Sequence, residues 1–115
     1  MNAPSIETLV VAYREAAGRH GRAKTSQTAN KAAEELAATY RKIREQGHDA
    51  MARLLPLLAD QDPSVRCWAA AHALEFAPEQ GEAVLAELSG GPPGPIRANA
   101  TMTLREWRAG HLRFP

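Results

Sequence analysis

The stretch Pro63-Ser64-Val65-Arg66, leading to Ala69, returns later as Pro95-Ile96-Arg97, leading to Ala100. Each copy follows a shorter Leu-rich segment and a turn. Recurrence at this spacing is the mark of a repeated pair of helices, and it restricts the fold more than anything else in the chain. One pair cannot bury its own apolar face, whereas pairs stacked side by side can. The 115 residues leave room for three pairs within a single domain, 1–115.

Six helices can be placed. Ser5 is an N-cap just after Pro4, and Ile6, Leu9, Val10, Tyr13 and Ala17 then form one apolar face, with Gly18 and Gly21 ending the helix. The second helix is expected over 24–46, with Ala29, Ala33, Leu36, Tyr40 and Ile43 inward and Gly47 as its stop. The third is expected over 48–59, with Met51, Leu54, Leu55 and Leu58 inward and a kink at Pro56. Asp62-Pro63 starts the fourth, which reaches Phe76. The fifth starts near Pro78 and carries Val84, Leu85 and Leu88. The run Gly90-Gly91-Pro92-Pro93-Gly94-Pro95 separates it from the sixth, 96–109, and 110–115 form a tail. The expected fold is therefore all-α: about six helices in three stacked antiparallel pairs, 5–46, 48–76 and 78–109, forming an α–α superhelix. No strand-like alternation competes with this reading.

Much of the 44% hydrophobic share is alanine, which lets helices approach closely but buries little area each. The core should be thin, anchored by a few large side chains. The net charge of +1 gives no global field for nucleic acid or membrane. Its distribution is uneven, +3 over residues 1–53 and −2 over 54–115. Arg14, Arg19, Arg22, Lys24 and Lys31 form the sharpest basic cluster, opposed nearby only by Glu15. It reads either as a solvated helix connection or as a docking patch for an acidic surface. In the second case a nucleic acid is an alternative partner, with salt-sensitive affinity. The acidic second half and the few aromatic residues argue against that alternative.

Cys67 is alone, which points to a reducing compartment. The N-terminal residues do not resemble a signal peptide, and no apolar run approaches membrane-spanning length. The expected location is the cytoplasm, without membrane association.

Residues 54–66, Leu-Leu-Pro-Leu-Leu-Ala-Asp-Gln-Asp-Pro-Ser-Val-Arg, followed by Ala69-Ala70, resemble the turn and second helix of a HEAT repeat. This likeness covers 48–109. The whole chain, and above all Gly94-Pro95-Ile96 through Met102-Thr103-Leu104-Arg105, resembles a small bacterial HEAT-like family designated domain of unknown function two-zero-one-nine. The resemblance implies an α-solenoid and brings no catalytic residue with it. Compact helical families of this kind can include immunity proteins that stand beside bacterial toxins. The function implied is that of a non-catalytic protein-binding module, neutralising a cognate toxin or effector by direct binding.

Helical phase then selects a surface. Val65, Ala69, Ala73 and Phe76 share one face of the fourth helix, and Cys67, Ala70 and Leu74 fill much of the opposite one. Trp68, His72 and Glu75 are left as a narrow stripe. The same phase on the sixth helix puts Ile96, Ala100, Leu104 and Trp107 in the core. Asn99, Met102, Thr103 and Glu106 then match the stripe. In a solenoid, second helices line one surface, so the expected partner-binding residues are Trp68, His72, Glu75, Asn99, Met102 and Glu106. Trp68 is either packed under a neighbouring helix or a partly exposed anchor for a partner. Arg66 and Arg97 are expected to be structural, each pairing with a turn acid (Asp60 or Asp62 for Arg66) or a carbonyl. Cys67 should be a small buried apolar group.

No catalytic residue, metal or cofactor is expected. His72 and Glu75 share a helix face, but no third ligand accompanies them. His20, His48 and His111 are scattered. The glycine-rich loop lacks the Lys-Ser/Thr of a phosphate loop, and its prolines remove amides that would cradle phosphate. An enzyme of the helical-repeat kind, such as a base-excision or lyase relative, would need a deeper pocket than so short a chain can build.

Overall fold

The computed structural model describes residues 3–115, and among them every regular element is helical. Six α-helices follow one another: α1 (Ile6–Arg22), α2 (Ser26–Glu45), α3 (His48–Ala52), α4 (Pro63–Phe76), α5 (Pro78–Ser89) and α6 (Pro95–Arg108). A 3-10 helix, Leu55–Ala59, lies between α3 and α4. Backbone contacts divide the chain into two units, which meet in sequence between Leu54 and Leu55.

The first unit is built on the packing of α1 along α2. The Ser5 hydroxyl accepts from the Thr8 N–H at 3.1 Å, and Thr25 caps α2 in the same way through Thr28. Leu9, Tyr13, Ala16 and Ala17 of α1 are buried, as are Ala32, Leu36, Tyr40 and Ile43 of α2. Of the expected stripes Leu9, Tyr13, Ala17, Leu36, Tyr40 and Ile43 hold, whereas Ile6, Val10, Ala29 and Ala33 are half-buried and Ala16 and Ala32 lie deeper. Gly18 and Gly21 do not end α1, which runs on to Arg22, with Gly18 buried. A glycine inside a helix costs about 1 kcal/mol. Packing along α2 offsets that cost.

The helix expected over 48–59 is not continuous. It stops at Ala52 and resumes as the 3-10 helix. Pro56 has no N–H for the carbonyl four residues back, and it disfavours α geometry at Leu55. Here the result is a break, not a kink. The change of period also moves the inward positions: Leu57 is buried, while Leu55 and Leu58 are half-buried.

In the second unit, α4 packs against the 3-10 helix, α5 and α6, and α5 packs against α6. Asp62 caps α4 by accepting from the Ser64 N–H at 2.9 Å, with Pro63 in the first turn where no donor is needed. The core cluster contains Cys67, Ala70, Leu74, Leu85, Leu88, Ala100 and Leu104. Ile96 and Trp107 pack against it, on the predicted inner face of α6. Gly81 lets α5 approach α4 closely. A Cβ at Gly81 would lie 2.6 Å from the Ala70 carbonyl oxygen and 3.0 Å from the Leu74 amide nitrogen.

The residues expected to be a plain tail also join this core. Gly110, at φ 77°, closes α6: its N–H donates to the Trp107 carbonyl at 3.0 Å, and the His111 N–H donates to that of Glu106 at 2.8 Å. That pair of bonds is a Schellman closure, in which a left-handed residue favours glycine. The chain then turns so that Leu112 and Phe114 pack against the cluster.

Candidate functional site

The crowding around α4 decides which of the expected contact residues remain reachable. Its neighbours leave little of its circumference open, and His72 is only 4% exposed. His72 therefore leaves the proposed surface, a correction to the phase argument. On a helical wheel this stripe is what the two apolar faces of α4 leave over, but burial follows the number of neighbours. Trp68 is half-buried, with its ring centroid 6.0 Å from that of His72 and the planes tilted by 30°. Glu75 is exposed.

On α6 the expected surface residues fare better. Asn99 is exposed and Met102 is 54% exposed. Glu106 is half-buried, with its carboxylate 4.0 Å from His111 Nδ1. The inner residues Ala100 and Leu104 hold the helix to the core, so Met102 points outward by helical phase. Sequence phase missed a further pair on this side, Arg97 and Arg105, both exposed. Their spacing of eight residues, two helical turns, was the available signal.

Arg14, Arg19, Arg22, Lys24 and Lys31 are all exposed. The cluster has more local opposition than the sequence suggested, because Arg19 forms an ion pair with Glu35 of α2, sixteen residues away. Packing of α1 along α2 brings that acid into reach.

The two structural arginines divide. Arg97 donates to the Gly91 carbonyl of the preceding turn at 3.5 Å, as expected. Arg66 instead reaches Glu87 of α5 at 3.6 Å. Asp60 and Asp62, its expected partners, accept backbone N–H groups of the turn, from Asp62 and Ser64 respectively.

Cys67 lies in the core cluster, and burial pushes its thiol up from 9.0 to about 11. The folded thiol keeps its proton to higher pH than the unfolded one. This favours folding below about pH 9 and is lost as the pH rises to about 11. Since only the thiolate attacks a disulfide reagent, labelling at pH 8 should be about 100-fold slower in the native protein than in denaturant. Equal rates would contradict the burial. Replacement by Ala should flatten the alkaline loss of stability.

Among the described residues, no three His, Cys, Asp or Glu side chains gather to hold a metal ion. Among those same residues, no helix is long and apolar enough to cross a membrane. Compared with protein-family models, curated proteins and solved structures, the chain finds no match.

Proposed function

We propose that this protein is a non-catalytic binding module of the HEAT-like solenoid kind, which neutralises a cognate bacterial toxin or effector by direct contact. The observation that carries this reading is Met102, 54% exposed on the outward side of α6. The helix is already fixed by Ile96, Ala100, Leu104 and Trp107, so its fold does not call for an apolar group there. A flexible thioether held in water is suited to covering by another protein. Asn99, three residues before it on α6, is exposed as well, and so is Glu75 near the end of α4.

A photoreactive amino acid at Asn99 should cross-link one protein in extracts of the source cell. The same group at Val11 of α1, an equally exposed apolar position at 56%, should not. Met102→Glu should lower the yield at Asn99 by about tenfold, because a charge then faces the interface. Absence of any cross-linked protein would reject the binding reading. Cross-linking from Val11 alone would move the interface to the first unit.

A further inference from the structure

A shallow depression of about 540 Å³ runs along the outward side of α6, between the Pro93-Gly94 turn and Arg97, Thr101, Met102 and Arg105. Arg97, Thr101 and Arg105 recur every fourth residue and so form one row on the helix. The sequence has no Asp or Glu between Glu87 and Glu106, so no acid on this stretch opposes the two guanidinium groups. Arg97 donates to the Gly91 carbonyl only at a long 3.5 Å. Arg105 has no ion-pair partner among the described residues. Met102 lines the same depression, giving it an apolar wall beside the two cations.

We infer that this depression receives an acidic segment of a protein partner, whose carboxylates meet Arg97 and Arg105 and whose apolar side chain covers Met102. The inference rests on the protein-binding reading and names the chemistry of the partner. A guanidinium presents a planar fork that a carboxylate can accept in two parallel hydrogen bonds. Eight residues of helix place the two arginine Cα atoms about 12 Å apart. Matching carboxylates stand about eight residues apart on a partner helix, or about four apart in an extended segment. The partner's apolar residue belongs between them, where Met102 lies. Both arginines are exposed, so they strengthen and steer the encounter, and salt weakens the contact.

The test uses the full chain, isotope-labelled for amide NMR, and four probes. These are a short Glu-rich peptide with a central Leu, the same peptide with Ser for Leu, the same with Lys for Glu, and a single-stranded oligothymidylate. The Glu–Leu peptide should shift the amides of Arg97 through Arg105. Its affinity should fall about tenfold in the double variant Arg97→Glu, Arg105→Glu, and stay unchanged in Arg14→Glu. The Ser peptide should bind severalfold more weakly, and the Lys peptide should not bind. Circular dichroism checks that each variant keeps its helices. Shifts centred on Arg14 to Lys31, equal binding of the Lys peptide, no binding of the Glu–Leu peptide, or oligothymidylate binding through α6 would each overturn the inference. A partner cross-linked from Asn99 that binds equally well to the double Arg variant would also overturn it while leaving the binding module standing. Failure of cross-linking itself removes the module.

Discussion

Gly81→Ala is expected to destabilise the protein by about 3 kcal/mol, although alanine is the better helix former. Propensity alone gives the opposite sign, a gain of about 1 kcal/mol for Gly to Ala inside a helix. The contacts decide the matter. A Cβ at this position meets the Ala70 carbonyl oxygen at 2.6 Å and the Leu74 amide nitrogen at 3.0 Å. Both atoms belong to the backbone of α4 and cannot rotate away, so α5 must move off α4, where the packing of this unit is most extensive. Thermal denaturation should show the midpoint falling by on the order of 10 °C. Gly90→Ala is the internal control, since a Cβ there comes only to 3.7 Å from the Glu87 oxygen. Its midpoint should barely change. A Gly81→Ala protein as stable as the parent would refute the close approach of the two helices.

Leu85→Ala should cost roughly 3 to 4 kcal/mol, from lost burial and the cavity left behind. Leu85 is fully buried within a cluster whose other members include the small residues Cys67, Ala70 and Ala100. Alanines already sit with their Cβ atoms against their neighbours, and they have no longer side chain to swing into a hole. The site therefore collapses poorly. Val84→Ala, at a half-buried neighbour, should cost about 1 kcal/mol. Chemical denaturation of the two variants separates these outcomes, and equal losses would contradict the assigned phase of α5.

Much of the helical architecture was legible because local chemistry and packing agree. Ser5, Asp62-Pro63, Pro78 and Ile96 mark expected starts that the structure keeps within a residue. The inner face of α6, and the Leu36, Tyr40 and Ile43 part of that of α2, follow from spacing alone. Where the reading failed, a neighbour distant in sequence intervened. Gly18 and Gly21 are local stop signals overridden by α2. Gly81 carries no sequence mark that separates a close approach from an ordinary weak helix position. His72 looks like a surface residue on a helical wheel, yet the wheel does not contain the elements packed around α4. Of the expected contact surface, Asn99, Met102 and Glu75 remain exposed because α6 and the end of α4 have fewer neighbours on those sides. Arg19 finds Glu35 only because two helices run side by side.

The stretch after Gly110 has no regular secondary structure, yet its exposure alternates: His111 and Arg113 lie outward, and Leu112 and Phe114 lie half-covered. Tolerance to substitution in this stretch should therefore alternate with a period of two, as on an extended ribbon laid over a greasy floor. A boundary drawn where the last helix ends would strip two apolar side chains from the second unit. The definition of this folded body must therefore run past its final hydrogen-bonded turn.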